Sequence, residues 1–479
     1  MNFSFCLAAS LIALLSAAPA AQALPINAQG RSCHLPGSEE ALRCVSVPVA
    51  LDYKAPGAAK LNLHVTVAPA FREAARPDPL FVLAGGPGQA GSDLLPLLDI
   101  AFRKVRATRD IVFIDQRGTG LSGKLDCDND PADERMSEAQ ADAAARACIA
   151  SIKQPFAAYT TEAAARDIEQ VRLALGYNKI NLWGGSYGTR LGQAYARAFP
   201  AALRSMILDG VAAPDQIVTA GGRDAQSALD TLFAQCAADA ACNKAYPALR
   251  AEFSSVSARV AGGQVKLDIP DPRTAQPLRL TMTSSRFLGT VHSILYSPFD
   301  SRRLPFLIHN AFQGRWAPFV ARSNTANDFS LNGAIAPLLY LSVVCAEDYP
   351  RLTPQLLAAD TEGSFMSAPV TARVAALCDV IKVPAVAYRA PARIDAPALL
   401  LSGALDPVTP PRRAEAAAKS MAHAQQLVVA HAGHGISHLG CAPRLLREFL
   451  DQPQQAVAAE CLKEIPAPTF QLGSAGPQP

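Results

Sequence analysis

The sequence predicts an α/β fold: a mostly parallel central sheet with helices on both faces and an inserted, mainly helical lid. Three observations carry this. Short, wholly apolar runs recur along the chain, each followed by a helical pattern, as happens when strands are buried on both faces. Such runs vanish from about Ala212 to Tyr388, where amphipathic segments and prolines take over. One run, in Lys179–Gly188 (KINLWGGSYG), ends abruptly in glycines around a serine and opens into a helical pattern. Strand, sharp turn and helix form the context in which Gly-x-Ser-x-Gly has chemical meaning.

The elements follow in order. Arg43–Tyr53 and Lys60–Ala68 alternate apolar and polar residues, as half-buried strands do, and the Pro56-Gly57 turn between them predicts a hairpin at the sheet edge. Pro79–Ala84 (PLFVLA) is a buried strand opening into GGPGQAGS, Gly85–Ser92. Ile111–Ile114 (IVFI) is another, followed by DQRGTGLS, Asp115–Ser122. A helix over Glu162–Leu175 leads into the Ser186 strand, and Ser205–Leu208 is the next strand. After the inserted segment, strands resume at Ala398–Ser402 and Gln426–Ala430, followed by helices over Pro411–Ala422 and Pro443–Leu450. The expected organisation is therefore residues 1–23 as a signal peptide, 24–211 and 389–479 as two parts of one core, and 212–388 as the lid.

Composition narrows the class. The 479 residues are 50% hydrophobic and 18% charged, which is globular rather than disordered. A formal net charge of +3 without a long basic run gives no support for nucleic-acid binding. At the N-terminus, Leu7–Ala18 is an apolar stretch and Ala21-Gln22-Ala23 fits a signal-peptidase site, although no Lys or Arg precedes it. No other stretch approaches the length of a membrane span. The expectation is export to the periplasm or the medium, with no membrane span after signal removal. Of 11 cysteines, removal of the signal takes Cys6 and leaves ten, an even number in an oxidising compartment. Nearest-neighbour pairing would join Cys33 to Cys44, Cys127 to Cys148, Cys236 to Cys242, Cys345 to Cys378 and Cys441 to Cys461. No CxxC or paired Cys/His spacing points to a metal, and no cofactor is expected.

The candidate chemistry starts at Ser186. A serine hydroxyl is a poor nucleophile at neutral pH and needs a base, which in turn needs an orienting acid. In a strand–Ser–helix topology the partners follow in the order acid, then histidine. His434, in HAGHGIS just past the final strand, is the expected base, with His431 and His438 as rivals. Asp406, in the loop of LLLSGALDPVTP, is the expected acid, with Asp209 at the end of SMIL as its rival. Two backbone N–H groups should stabilise the oxyanion: that of Tyr187, directly after the nucleophile, and one from Gly85-Gly86-Pro87-Gly88. Gly86 is favoured there, Gly85 is the alternative, and Pro87 has no N–H. The spacing in GGPGQAG does not fit a dinucleotide or phosphate cradle, and no P-loop lysine follows.

GGPG after a buried strand, DQRGTGLS, GGSYG, LDGV, the Asp406 loop and GHG, taken together, resemble the prolyl iminopeptidase and tripeptidyl aminopeptidase family of α/β-hydrolases. The resemblance runs in motif order from about Ser46 to Leu450. Ala84 stands where many prolyl iminopeptidases carry histidine, and Tyr187 where they often carry tryptophan. Both resemble the secreted tripeptidyl-type branch, as does VVCAED, Val343–Asp348. The resemblance implies the α/β-hydrolase fold, a lid over the site, and release of residues from free peptide N-termini, with carboxylester hydrolysis as the alternative. A protonated α-amino group needs a negative partner in a partly dry pocket. Glu347, next to Cys345 and longer than Asp348, is the candidate substrate-binding carboxylate; a surface helix start, or a salt bridge with a residue such as Arg351, is the plainer reading.

Overall fold

The computed structural model describes residues 30–36, 38–55, 57, 59–127, 138–272, 274–327, 335–366 and 368–476. The expected signal peptide, Cys6 included, lies outside the described residues, as does Pro56 of the hairpin turn.

Nine strands form the central sheet: β1 (Arg31–Cys33), β2 (Leu42–Ala50), β3 (Lys60–Ala68), β4 (Leu80–Leu83), β5 (Ile111–Ile114), β6 (Ile180–Gly185), β7 (Leu203–Asp209), and, after a long excursion containing the small hairpin β8 (Lys266–Pro270) and β9 (Pro277–Thr281), β10 (Ala398–Gly403) and β11 (Ala424–Val429). Their spatial order is β1-β2-β3-β5-β4-β6-β7-β10-β11. The first three strands run antiparallel to their neighbours, with Val45 opposite Val65 and Val65 opposite Ile114. From β5 to β11 every pairing is parallel. This is the α/β-hydrolase fold, and it places the C-terminal ends of β4, β6, β7, β10 and β11 along one edge. The strand order reverses at β4, and in open α/β sheets the crevice outside such a switch point is where ligands bind.

Period-two alternation sorts the sheet residues into two apolar layers. Phe81, Leu83, Val112, Ile114, Leu182 and Leu208 face one layer. Leu80, Val82, Ile111, Phe113, Trp183 and Ile207 face the other. Both faces are covered, which explains why these strands read as uninterrupted apolar runs.

The chain between Asp209 and Ala398 is mainly helical but not uniform. Residues from Leu229 to Val320 build an apolar core of their own, which Phe470 joins. The helix Pro337–Glu347 instead packs into one of the sheet's own layers through Leu338, Leu339, Leu341 and Val343. The β8–β9 hairpin was not expected from the sequence; its strands are half exposed and short, so they lack the buried run that marks the others. Five disulfides join Cys33–Cys44, Cys127–Cys148, Cys236–Cys242, Cys345–Cys378 and Cys441–Cys461. Among the described residues no helix is long and apolar enough to cross a membrane, and no group of His, Cys, Asp and Glu could hold a metal ion.

Candidate active site

Ser186 stands between β6 and the helix Tyr187–Ala198, at φ 54° and ψ −123°, a backbone conformation that L-residues rarely adopt. The strand–helix contact that forces it has no room for side chains: a Cβ on Gly184 would lie 2.4 Å from the Gly188 carbonyl, and one on Gly188 would lie 2.2 Å from that of Leu83. The Ser186 N–H donates to the Asp209 carbonyl at 2.8 Å, which ties the turn to the neighbouring strand.

The loop after β4 lies alongside, because β4 and β6 are paired neighbours. Its Gly85 N–H is taken by Gln89 Oε1 at 3.3 Å. Among the described residues, neither the Gly86 N–H nor the Tyr187 N–H has a protein acceptor. Gly86, Ser186 and Tyr187 share the wall of one cavity of about 240 Å³.

The loops after β10 and β11 bring Asp406 and His434 together. His434 Nδ1 lies 2.7 Å from Asp406 Oδ2. The same oxygen accepts from Thr409 Oγ1 at 2.7 Å, and Oδ1 accepts from the N–H groups of Val408 and Thr409 at 2.9 and 2.8 Å. Burial alone would raise the Asp406 carboxyl, but the adjacent imidazole and these N–H donors outweigh it and hold the group below the usual carboxylate range. Burial likewise pulls His434 down, and the Asp406 carboxylate overcomes it, so the imidazole binds a proton more readily than an ordinary histidine. Ser186 and His434 are not hydrogen-bonded to each other; such contacts commonly tighten only in the reacting complex.

Asp209, the rival acid, is bonded differently. Its buried carboxylate accepts from the N–H groups of Ile436 and Ser437, at 2.8 to 3.0 Å, and so pins the loop that carries His434 rather than the ring. A second clamp comes from the inserted segment. The Tyr296 carbonyl accepts from the His434 N–H at 2.9 Å, and the Tyr296 ring meets the imidazole edge-on at 5.0 Å.

Glu347 is not brought to the cavity wall. It is buried at the end of the helix Pro337–Glu347, where Oε1 accepts from the Thr161 N–H and Oε2 from Thr161 Oγ1 and Arg190, at 2.7 to 2.9 Å. Thr161 Oγ1 is also 2.7 Å from the Tyr187 hydroxyl. Arg190 bridges Glu347 and Asp348 and itself lines the cavity, which Glu347 does not. The ion pair is with Arg190, one helical turn past Ser186, whereas Arg351 pairs with Asp348.

Sequence reasoning missed the side chains that face Ser186 across the cavity: His292, Tyr296, Tyr340 and Asp360. They come from separate helices, Ser284–Leu295 with its cap, Pro337–Glu347 and Pro354–Thr361, so no linear spacing announces them. Burial lowers His292 to about 4 and raises Tyr340 to about 12, leaving both uncharged at neutral pH. Asp360 is the carboxylate on this wall. It accepts from the N–H groups of Gly222 and Arg223 at 2.8 and 3.3 Å, which leaves lone pairs free on both oxygens.

Comparison with known proteins agrees with the architecture: a family model described as the α/β hydrolase fold matches residues 78–440. The chain belongs to the α/β-hydrolase family. Among curated relatives of this α/β-hydrolase, the serine protease Hip1 of Mycobacterium tuberculosis is 31% identical over 280 residues, 53% of each chain. A tripeptidyl aminopeptidase of Streptomyces coelicolor is 29% identical over 194 residues, 36% of each chain. A proline iminopeptidase of Neisseria gonorrhoeae is 31% identical over 143 residues, 29% of this chain and 36% of that one. The chain thus spans about half the length, or less, of the curated relatives it matches. These three relatives carry the names of peptidases.

Proposed function

We propose that this α/β-hydrolase is an exported serine exopeptidase that releases residues or short peptides from free peptide N-termini through an acyl-enzyme. The observation that carries the reading is a strained Ser186 whose cavity wall holds two acceptor-free N–H groups and also Thr409 and Tyr296, which contact the Asp406–His434 pair. Ser186 attacks the scissile carbonyl and His434 takes its proton. Asp406 fixes the tautomer with the proton on Nδ1, so that Nε2 is free to accept. The oxyanion is held by the N–H groups of Tyr187 and Gly86. His434 then gives the proton to the leaving amine, and water repeats the sequence to free the acyl group.

A free N-terminus arrives largely as an ammonium near neutral pH and needs a carboxylate. Glu347 spends its oxygens on Thr161 and Arg190, so in this reading it is a positioning residue for Tyr187 and Arg190. Asp360, on the cavity wall, is the carboxylate that meets the ammonium. Export is supported by the five disulfides, which persist in oxidising compartments. A second reading, carboxylester hydrolysis, is favoured by one feature: His292, Tyr296 and Tyr340 give much of the wall an uncharged character suited to neutral acyl groups.

The test is a panel of mono- to tripeptidyl anilides, with free and acetylated N-termini, run against short-chain esters. The exopeptidase reading expects the free-amine anilides to be preferred, and Ser186→Ala to lose on the order of 10⁶-fold in kcat along with labelling by a fluorophosphonate. Equal turnover of acetylated and free substrates, or a preference for esters, would replace it with the esterase reading.

A further inference from the structure

A second concavity lies away from the Ser186 site, between the inserted segment and the C-terminal stretch, with a volume of about 970 Å³. Arg302 forms part of its wall and is only 4% exposed. Its Nε is buried without a hydrogen-bond partner, and among the described residues its guanidinium makes no ion pair. The carboxylate nearest in sequence, Asp300, is taken by Arg303 and Arg322. Asp239 favours the Arg302 charge from further away, but its own oxygen is engaged by the N–H groups of Ala241 and Cys242.

A guanidinium withdrawn from water without a counter-ion is costly, and proteins ordinarily pair such groups. Here the plane is held in place instead. It lies 4.3 Å from the Phe470 ring, and the Arg302 carbonyl accepts from the Gln471 N–H at 3.1 Å. Stacking orients the fork of donors but supplies no acceptor for its N–H groups. Part of the wall is apolar and aromatic, with Phe299, 67% exposed, beside Phe306 and Leu307, and it also carries Arg303 and Arg322, which share Asp300.

We propose that this groove is a second binding site, which takes an organic carboxylate carried on an apolar or aromatic body. The carboxylate pairs with the Arg302 fork, a geometry in which two parallel N–H···O bonds form. The body lies against Phe299 and Phe306. Inorganic phosphate would leave the apolar wall unused. The site shares no lining residue with the Ser186 cavity, so it stands whether the chain proves to be a peptidase or an esterase.

Calorimetric titration of the full, disulfide-bonded protein tests this with 3-phenylpropionate, its neutral amide and inorganic phosphate. The acid is expected to bind saturably, with the amide and phosphate each at least about tenfold weaker, and Arg302→Met is expected to weaken the acid roughly 10- to 100-fold. Because Arg302 is buried, Arg302→Met is checked by its thermal melt. Phe299→Ala, on the exposed rim, is the companion variant, expected to weaken the acid while leaving the melt unchanged. Acid binding that survives Arg302→Met lies elsewhere and overturns the proposal. Equal affinity for acid and amide, or an acid affinity indifferent to Phe299→Ala, overturns it as well.

Discussion

Replacing Asp406 by asparagine changes one atom and should silence the enzyme without unfolding it. The reason lies in the four bonds that the carboxylate accepts. Oδ1 receives two backbone N–H groups, from Val408 and Thr409, and Oδ2 receives the imidazole and the Thr409 hydroxyl. An amide has one oxygen to offer. If its NH₂ faced Val408 and Thr409, two buried donors would meet a donor, costing about 1–3 kcal/mol for each group left unsatisfied. The oxygen therefore stays with the backbone and the NH₂ turns toward His434. Nδ1 must then accept, its proton moves to Nε2, and no lone pair remains for the Ser186 proton. The expected loss is roughly 10⁴-fold in kcat, about 5.5 kcal/mol of transition-state stabilisation, equal for anilide and ester because the defect precedes any choice of acyl group. A pH profile adds a second readout. The base works in its neutral form, and the Asp406 carboxylate raises its proton affinity, so the wild-type acidic limb of kcat/KM should have its midpoint above the ordinary histidine value of about 6.5. With the carboxylate gone and burial still acting, residual activity in Asp406→Asn should persist to lower pH. Steady-state kinetics from pH 5 to 9 on both proteins decides it. Asp406→Asn activity within tenfold of wild type, with Asp209→Asn inactive yet folded, would refute the assignment.

Glu347→Gln should lower turnover of free-amine anilides and neutral esters together, by roughly tenfold, since it loosens Tyr187 and Arg190 rather than a substrate contact; a loss confined to free-amine substrates would restore Glu347 as the ammonium's partner. Asp360→Asn should do the opposite, raising KM for free-amine anilides and sparing esters. Tyr296→Ala should reduce ester kcat roughly 2- to 12-fold through the lost ring contact with His434, and Tyr296→Phe should not, which steady-state rates on a small ester will report. Arg117→Met should destabilise the fold by about 3–5 kcal/mol in denaturant titration, because it strands buried Asp167, whose two oxygens both accept from Arg117.

What the sequence determined by itself is what short-range physics writes into it. Strands buried on both faces must be continuous apolar runs, so β4, β5 and β10 were legible to within about a residue at each end, while β7, read as Ser205–Leu208, begins earlier, at Leu203. The turn at Ser186 was legible because only glycine fits where the helix after β6 nearly touches β6 at Gly184 and β4 at Gly188. Asp406 and His434 could be put forward because each lies in the loop after a strand in a fixed topological order. Tertiary structure decided everything that depends on which distant segments meet. Asp209 and Asp406 both end strands of the same edge, and only the path of the β11 loop gives one of them the imidazole and the other the backbone of that loop. Glu347 looks in sequence like a free acid beside an anchored cysteine. In the fold, Arg190, 157 residues earlier in the chain, pairs with it. The cavity wall of His292, Tyr296, Tyr340 and Asp360 has no linear signature, because its helices are placed by side-chain packing, which is tolerant of sequence and blind to spacing.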